Sequence, residues 1–360
     1  MIYHLLYPLA ERFFIFNVTK YITFRSGCAF VTSFLIIVIF WKFTLKHLKR
    51  LKMVEKIDMY GNVHLESLYG SKEGTPTMGG ILIVFSILVS VILWMRWDNC
   101  FLWLSLIVML ALGLLGLFDD ILKIRKGRGL SRSQKFFWQC LIGILLGILI
   151  AVNKNLPTYW NLPFFKKVVI DLGYFYIFWA ALMIVATSNA VNFTDGLDGL
   201  AIGALIINSF IFGILSYIAG HLQFADYLFI PYIKDAGELA VFCFSLMGAG
   251  LAFLWFNSYP AEVFMGDTGA LALGGIIGAI ALFIKQEFLL FISGGLFVIE
   301  GLSVILQMFS VKFRRKRLFK AAPLHHHFQI LGWKEPKIII RFWIISIICA
   351  ALTLLTLKLR

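Results

Sequence analysis

Apolar residues run along this chain in blocks long enough to cross a bilayer, and the polar residues between them are gathered rather than scattered. Ten blocks suit helices of roughly 17 to 25 residues crossing about 30 Å of hydrocarbon. They lie near 27–46, 78–97, 100–118, 135–152, 170–188, 200–219, 238–256, 269–285, 288–309 and 339–357. Strand-like alternation is absent, and a helix is the open-ended element that satisfies its own backbone in lipid. The pattern predicts an all-α integral membrane protein. Residues 1–26 are aromatic but carry Glu11, Arg12, Lys20 and Arg25, which reads as an interfacial stretch. They have no clean apolar core and small-residue cleavage site after a basic start, so no signal peptide is expected. No repeat and no low-complexity linker divides the chain, so residues 1–360 are expected to form one polytopic domain, with 310–337 as a long connection.

Composition agrees. Hydrophobic residues make up 60% and charged residues only 14%, with a mean hydropathy of +0.87, whereas soluble domains carry about 25% charged residues. About two thirds of the 33 Lys and Arg residues fall in the connections after odd-numbered spans. The positive-inside rule then puts those connections in the cytoplasm and both termini on the periplasmic side. The net charge of +14 sits beside the spans, where anionic lipid headgroups account for it, so nucleic acid is not an expected partner. Cys28, Cys100, Cys140, Cys243 and Cys349 have neither zinc nor redox spacing.

The polar interruptions that carry chemistry fall on this same cytoplasmic side: Lys72–Gly80, Phe118–Lys135, Ser188–Gly199, Asn257–Gly269 and Pro323–Trp333. Asp119 and Asp120 end the third span. Adjacent helical positions point about 100° apart, so the two carboxylates are expected to have different partners. Acids at a helix C-terminus oppose the macrodipole, and ionisable groups at membrane depth default to function. Asn189, Asn192, Asp195 and Asp198 cluster without a basic residue, suiting hydrogen bonds to a base or ribose, while Gly196 and Gly199 let backbone approach a ligand. Spacing of three puts Asp195 and Asp198 on one side if helical, and an irregular loop or capped turn fits equally. Asp267 follows on a third connection, flanked by glycine.

Magnesium binds one or two carboxylates, keeps some water and completes its shell with phosphate oxygens. Lys72, Lys123 and the basic stretch 312–320 can neutralise those phosphates, and acids with bases in this combination suggest phosphoryl transfer. His325, His326 and His327 are consecutive, a poor chelating set, and suit donation to phosphate or hydroxyl oxygens better than a zinc site. Thr75-Pro76-Thr77 is ordinary helix-start chemistry, and neither a Walker loop nor GxGxxG appears.

In chain order, Lys72–Gly80, Phe118-Asp119-Asp120, Asn189–Gly199, Asn257 with Val263–Gly269, and Pro323–Phe328 resemble the bacterial phospho-N-acetylmuramoyl-pentapeptide transferases, from about residue 72 to the end. The histidine triplet is the most specific part. Related polyprenyl-phosphate hexosamine-phosphate transferases share the acidic motifs and differ at that loop. The resemblance implies transfer of the phospho-sugar from UDP-N-acetylmuramoyl-pentapeptide to undecaprenyl phosphate, with magnesium, in a membrane homodimer. It implies Asp267 as metal ligand, with Asp119 and Asp120 near the reacting phosphates. Lys72, Thr77, Lys123, Asn189, Asn192, Asp195, Gly196, Leu197, Asp198, Asn257 and Phe264 would line the nucleoside and diphosphate pocket, and the histidines the sugar phosphate. Gln329, Ala270 and the stretch 53–69 depart from the family pattern.

Two alternatives stand beside this reading: a related transferase using UDP-N-acetylglucosamine, and a transporter. A transporter gathers its polar groups near the bilayer midplane with repeat symmetry, whereas here they collect at one face.

Overall fold

The computed structural model describes residues 1–51, 53, 74–153, 156–165 and 169–358. Its main helices are α1 (Ile22–Arg50), α2 (Gly80–Trp94), α3 (Cys100–Lys126), α4 (Arg132–Val152), α5 (Tyr176–Thr194), α6 (Leu200–Ala219), α7 (Leu239–Asn257), α8 (Gly266–Phe283), α9 (Glu287–Ser293), α10 (Gly295–Arg314), α11 (Leu324–Ile330) and α12 (Glu335–Thr356), with short helical turns at Ile2–Leu6 and Leu222–Tyr227. Among the described residues, nine helical segments are long and apolar enough to cross a membrane, and α2 is a shorter apolar helix of 15 residues. The chain is therefore an all-α, multi-pass membrane protein. Its one described sheet is a hairpin of β1 (Tyr159–Asn161) and β2 (Val169–Asp171), antiparallel with Trp160 opposite Ile170.

The spans run longer than their apolar cores predict at the ends that matter. α3 continues past residue 118 to Lys126, and α5 past 188 to Thr194, so Asp119, Asp120, Asn189 and Asn192 sit on helices. Backbone bonding inside a helix outlasts the apolar run because it needs only continuous residues without a breaker. Gly127, left-handed at φ 71°, ends α3. The span predicted at 288–309 is split at Gly294 into α9 and α10.

α8 is the structural axis, with every residue from Asp267 to Phe283 buried. α3, α5, α2 and α6 pack around it. Close approach depends on glycine: a Cβ on Gly80 would stand 2.3 Å from the Gly269 amide, and one on Gly116 2.3 Å from the Asp267 carbonyl oxygen. Small residues at such crossings let backbones meet where lipid offers no hydrophobic drive. Leu114, Ile107, Phe178, Leu182 and Ile347 remain exposed on the outer surface, as lipid-facing residues should.

The two ends of the bundle differ. At one end the Met1 amine donates to the Ile92 carbonyl at 2.9 Å near the end of α2, and Lys358 donates to the Tyr227 hydroxyl at 2.6 Å in the α6–α7 connection, so both chain ends lie at that end. The three aspartates and the histidine helix gather at the other.

Candidate active site

Asp267 is set by the start of α8. Gly266, at φ 75°, makes the turn into the helix, and the chain just before it pairs with the entry to α2: Phe264 donates its amide to the Pro76 carbonyl at 2.8 Å, and Gly79 donates to the Phe264 carbonyl at 2.9 Å. Asp120 holds the helix from outside. Its Oδ1 accepts from the Asp267 amide at 3.2 Å, and its Oδ2 accepts from the Thr268 amide at 3.0 Å and hydroxyl at 2.8 Å. This is N-capping supplied by another helix: a carboxylate satisfies first-turn amides that have no partner within α8.

Asp119 points elsewhere. Its Oδ1 accepts from the Leu130 amide at 2.6 Å, and its Oδ2 meets the ammonium groups of Lys123 at 2.9 Å and Lys135 at 3.1 Å. Both lysines also reach Asp267 Oδ2, Lys123 at 2.9 Å and Lys135 in a still shorter contact. Asp267 Oδ1 accepts from Asn192 Nδ2 at 2.8 Å. Asp119 and Asp120 are buried and Asp267 nearly so, and each offers an oxygen within 4.8 Å of the others. Three negative charges and two positive ones thus share one small volume. The adjacent acids have different hydrogen-bond partners, although Lys123 reaches both, standing 3.8 Å from Asp120 Oδ1.

Asn189 donates to Gln139 Oε1 and to the Val185 carbonyl, both at 2.8 Å, on the helix face that also carries Asn192. The next turn binds the loops together. Asp198 Oδ2 accepts from the Ala261 amide at 3.0 Å, and the Asp198 amide donates to Glu335 Oε1 at 3.0 Å. Asn257 Oδ1 accepts from the Gly199 amide at 3.0 Å while its Nδ2 donates to the Val263 carbonyl at 2.7 Å. Asp198 and Asn257, expected to line the pocket, are buried and engaged with loop backbone, because loop amides packed away from water need acceptors. Leu197 is buried in the same turn, and Asp195 caps the end of α5. Thr77 lies beside the α8 turn, its hydroxyl 3.2 Å from where a Gly266 Cβ would be. Lys72 falls outside the described residues, as does most of the divergent stretch 53–69.

The histidines lie on the short helix α11. His325 is fully buried, with its Nδ1 3.3 Å from Glu300 Oε2. Its Nε2 covers Gly196 so closely that a Cβ there would come within 2.3 Å. Glu300, on α10, also accepts from the Leu324 amide at 2.8 Å and the His325 amide at 3.2 Å, fixing the start of α11. His326 Nδ1 pairs with Gln329 Oε1 at 2.8 Å, and His327 Nδ1 accepts from the Lys320 amide at 3.1 Å. The triplet therefore fans around a helix, with three different partners.

Sequence reasoning missed Lys135, Gln139, Thr268, Glu300 and Glu335. Lys135 closes the polar stretch after Asp120, the only signal it gave. Glu300 is a lone acid inside an apolar run, a signal of the kind that flagged Asp119.

A multi-pass helical membrane protein with buried acids and lysines meeting at one end of its spans is the frame of a glycosyl-phosphate transferase, and residues 102–285 match the family described as Glycosyl transferase family 4. Residues 72–84 match the Phospho-N-acetylmuramoyl-pentapeptide-transferase signature 1. Proteins named phospho-N-acetylmuramoyl-pentapeptide-transferase from Geobacter sp. (strain M21) and Citrifermentans bemidjiense are each 50% identical, and one from Pelobacter propionicus is 48% identical; each similarity covers 100% of both chains. The chain belongs to the phospho-N-acetylmuramoyl-pentapeptide-transferase family.

Proposed function

We propose that this chain transfers phospho-N-acetylmuramoyl-pentapeptide from its UDP carrier to undecaprenyl phosphate, giving lipid I and UMP, at the cytoplasmic face of the bacterial inner membrane. The carrying observation is the meeting of Asp119, Asp120 and Asp267 with Lys123 and Lys135 at one end of the spans. The excess of Lys and Arg in the connections at that end supports the cytoplasmic side, and with it periplasmic termini. A homodimer in the membrane is proposed from family likeness alone.

The donor set suits magnesium. An octahedral ion with ligands at about 2.0–2.1 Å separates its oxygens by about 3 to 4.2 Å, close to the span of the three carboxylate oxygens here. Asp267 and Asp119 would hold it, since Asp120 is engaged by the amides of α8. Bound there, Mg2+ supplies neutralisation of the donor diphosphate.

The remaining work falls to side chains. A phosphate monoester has its second pKa near 6, so the lipid acceptor is mostly dianionic and needs little help losing a proton. Repulsion between two anions is the larger barrier, and lysines 123 and 135 act on it electrostatically. Asp119 orients the acceptor or takes its remaining proton. An acceptor oxygen then attacks the sugar-linked phosphorus, a new P–O bond forms, and the bond to the UMP oxygen breaks in line. Asn189, Asn192, Asp195, Gly196 and Phe264, with Lys72 and Thr77, hold the nucleoside and diphosphate; Leu197, Asp198 and Asn257 shape the loops around them; His325, His326 and His327 bind the sugar phosphate.

Purified protein given UDP-N-acetylmuramoyl-pentapeptide, undecaprenyl phosphate and Mg2+ should release UMP. No release would reject the proposal, and equal release from UDP-N-acetylglucosamine would redirect it to the related transferases. Exchange of labelled UMP into the donor without any lipid acceptor would favour a covalent aspartyl intermediate over direct attack. Asp267→Ala should abolish turnover with folding retained; substantial turnover at saturating Mg2+ would reject its metal role.

A further inference from the structure

Every oxygen of the three carboxylates already has a partner. Asp119 Oδ1 is engaged by the Leu130 amide, both oxygens of Asp120 by the start of α8, and Asp267 Oδ1 by Asn192. The two that remain, Asp119 Oδ2 and Asp267 Oδ2, each face the same two ammonium groups. Asp267 Oδ2 accepts a hydrogen bond from Lys135 and lies 2.9 Å from the Lys123 ammonium, so two cations already occupy the space in front of it. Asp119 Oδ2 differs: it is buried and in ion-pair contact with both lysines, yet makes no aligned hydrogen bond. It is the least satisfied acceptor in the cluster.

Rest on the metal reading above, and one consequence is structural: a divalent ion entering this cluster must take the place of an ammonium. We infer that Lys135 is that place-holding cation, balancing the acids before metal binds and withdrawing from Asp267 Oδ2 when it does. Lys123 is on the same helix as Asp119 and Asp120 and contacts all three acids, at 2.9, 3.8 and 2.9 Å, so leaving would break more ion pairs. Lys135 reaches over from α4 and meets two. Without either lysine, three like charges within 4.8 Å would repel with nothing to offset them. The exchange lowers the affinity for metal by whatever it costs to displace the ammonium, and it leaves a freed ammonium beside the phosphates that the metal will meet.

The test measures metal binding without substrates. Mn2+ is titrated into detergent-purified protein and followed by electron paramagnetic resonance. Lys135→Met should bind Mn2+ at least tenfold more tightly than the parent, whereas Lys135→Arg, which keeps the charge, should stay within about threefold of it. Parent affinity or weaker in Lys135→Met, or equal tightening in Lys135→Arg, overturns the inference. Asp267→Asn serves the separate question: if it binds Mn2+ as the parent does, the metal reading itself fails. Should Lys135→Met not fold, the parent decides alone, because amine labelling at Lys135 read by mass spectrometry must rise when Mn2+ is added. Unchanged or reduced labelling overturns the exchange.

Discussion

Asp120 Oδ2 accepts from the Thr268 amide at 3.0 Å, joining the end of α3 to the beginning of α8 through a buried carboxylate. Its neighbour Asp119 faces lysines instead. One acid of the pair holds the start of α8 and the other is paired with cations.

Asp120→Asn is therefore expected to act through Asp267. An amide keeps one acceptor but loses the charge that three donors share, and charge-assisted bonds are about twice as strong as neutral ones. We expect a stability loss of about 1–3 kcal/mol and a fall in kcat on the order of 100-fold from misplacement of Asp267. Asp119→Asn should lower kcat with little change in Tm. Equal Tm for the two variants would contradict the division of labour.

Gly116 and Gly113 give a controlled comparison on one helix face. A Cβ on Gly116 meets Asp267 backbone at 2.3 and 2.5 Å, and backbone cannot swing aside. A Cβ on Gly113 meets Ala272 Cβ at 3.6 Å, an ordinary contact. Gly116→Ala should cost about 1–3 kcal/mol by overpacking and displace the turn that carries Asp267, whereas Gly113→Ala should leave Tm and kcat within error of the parent. A silent Gly116→Ala would mean that α3 and α8 do not meet as closely as described.

How much of this was legible follows from the residues. The grouping of acids at one membrane face could be read because a carboxylate in an apolar run has no bland explanation. The divergence of Asp119 and Asp120 followed from helical geometry alone. Lys135 could not be told from the many cations that fix orientation, since its role depends on α4 leaning towards α3. Asp198 and Asn257 carry the right functional groups for a ligand, and only tertiary contact shows loop amides using them. The amides of α5 fall beyond the predicted span because the apolar pattern ends at Ser188, while the helix continues to Thr194.

At the opposite end, Arg25 and Glu238 form a buried two-point ion pair that ties α1 to the start of α7, and Glu238 Oε2 also accepts from the Arg96 amide at 3.2 Å. Removing one partner strands a buried charge. Glu238→Ala should cost about 3–5 kcal/mol, with part regained in Arg25→Met/Glu238→Leu, where neither charge remains. Turnover per folded molecule should not change, because the pair lies away from the carboxylate cluster. Unfolding in detergent and a UMP-release assay separate the two effects.

Lys285 occupies the turn between α8 and α9, outside the spans, fully buried with its amine 2.7 Å from the Tyr176 hydroxyl. Burial holds that amine down to about 8, with Glu287 opposing the shift. Unfolded, the same group titrates near 10.4. Between these values the unfolded chain binds the extra proton, so stability attributable to Lys285 rises with pH, by at most about 1.4 kcal/mol per unit. Below pH 8 both states carry the proton and this contribution is flat. Lys285→Met removes the group, so the difference in Tm between parent and variant should shift in the parent's favour from pH 8 to pH 10. A difference that stays constant over that window would show that the buried amine keeps its ordinary affinity for protons.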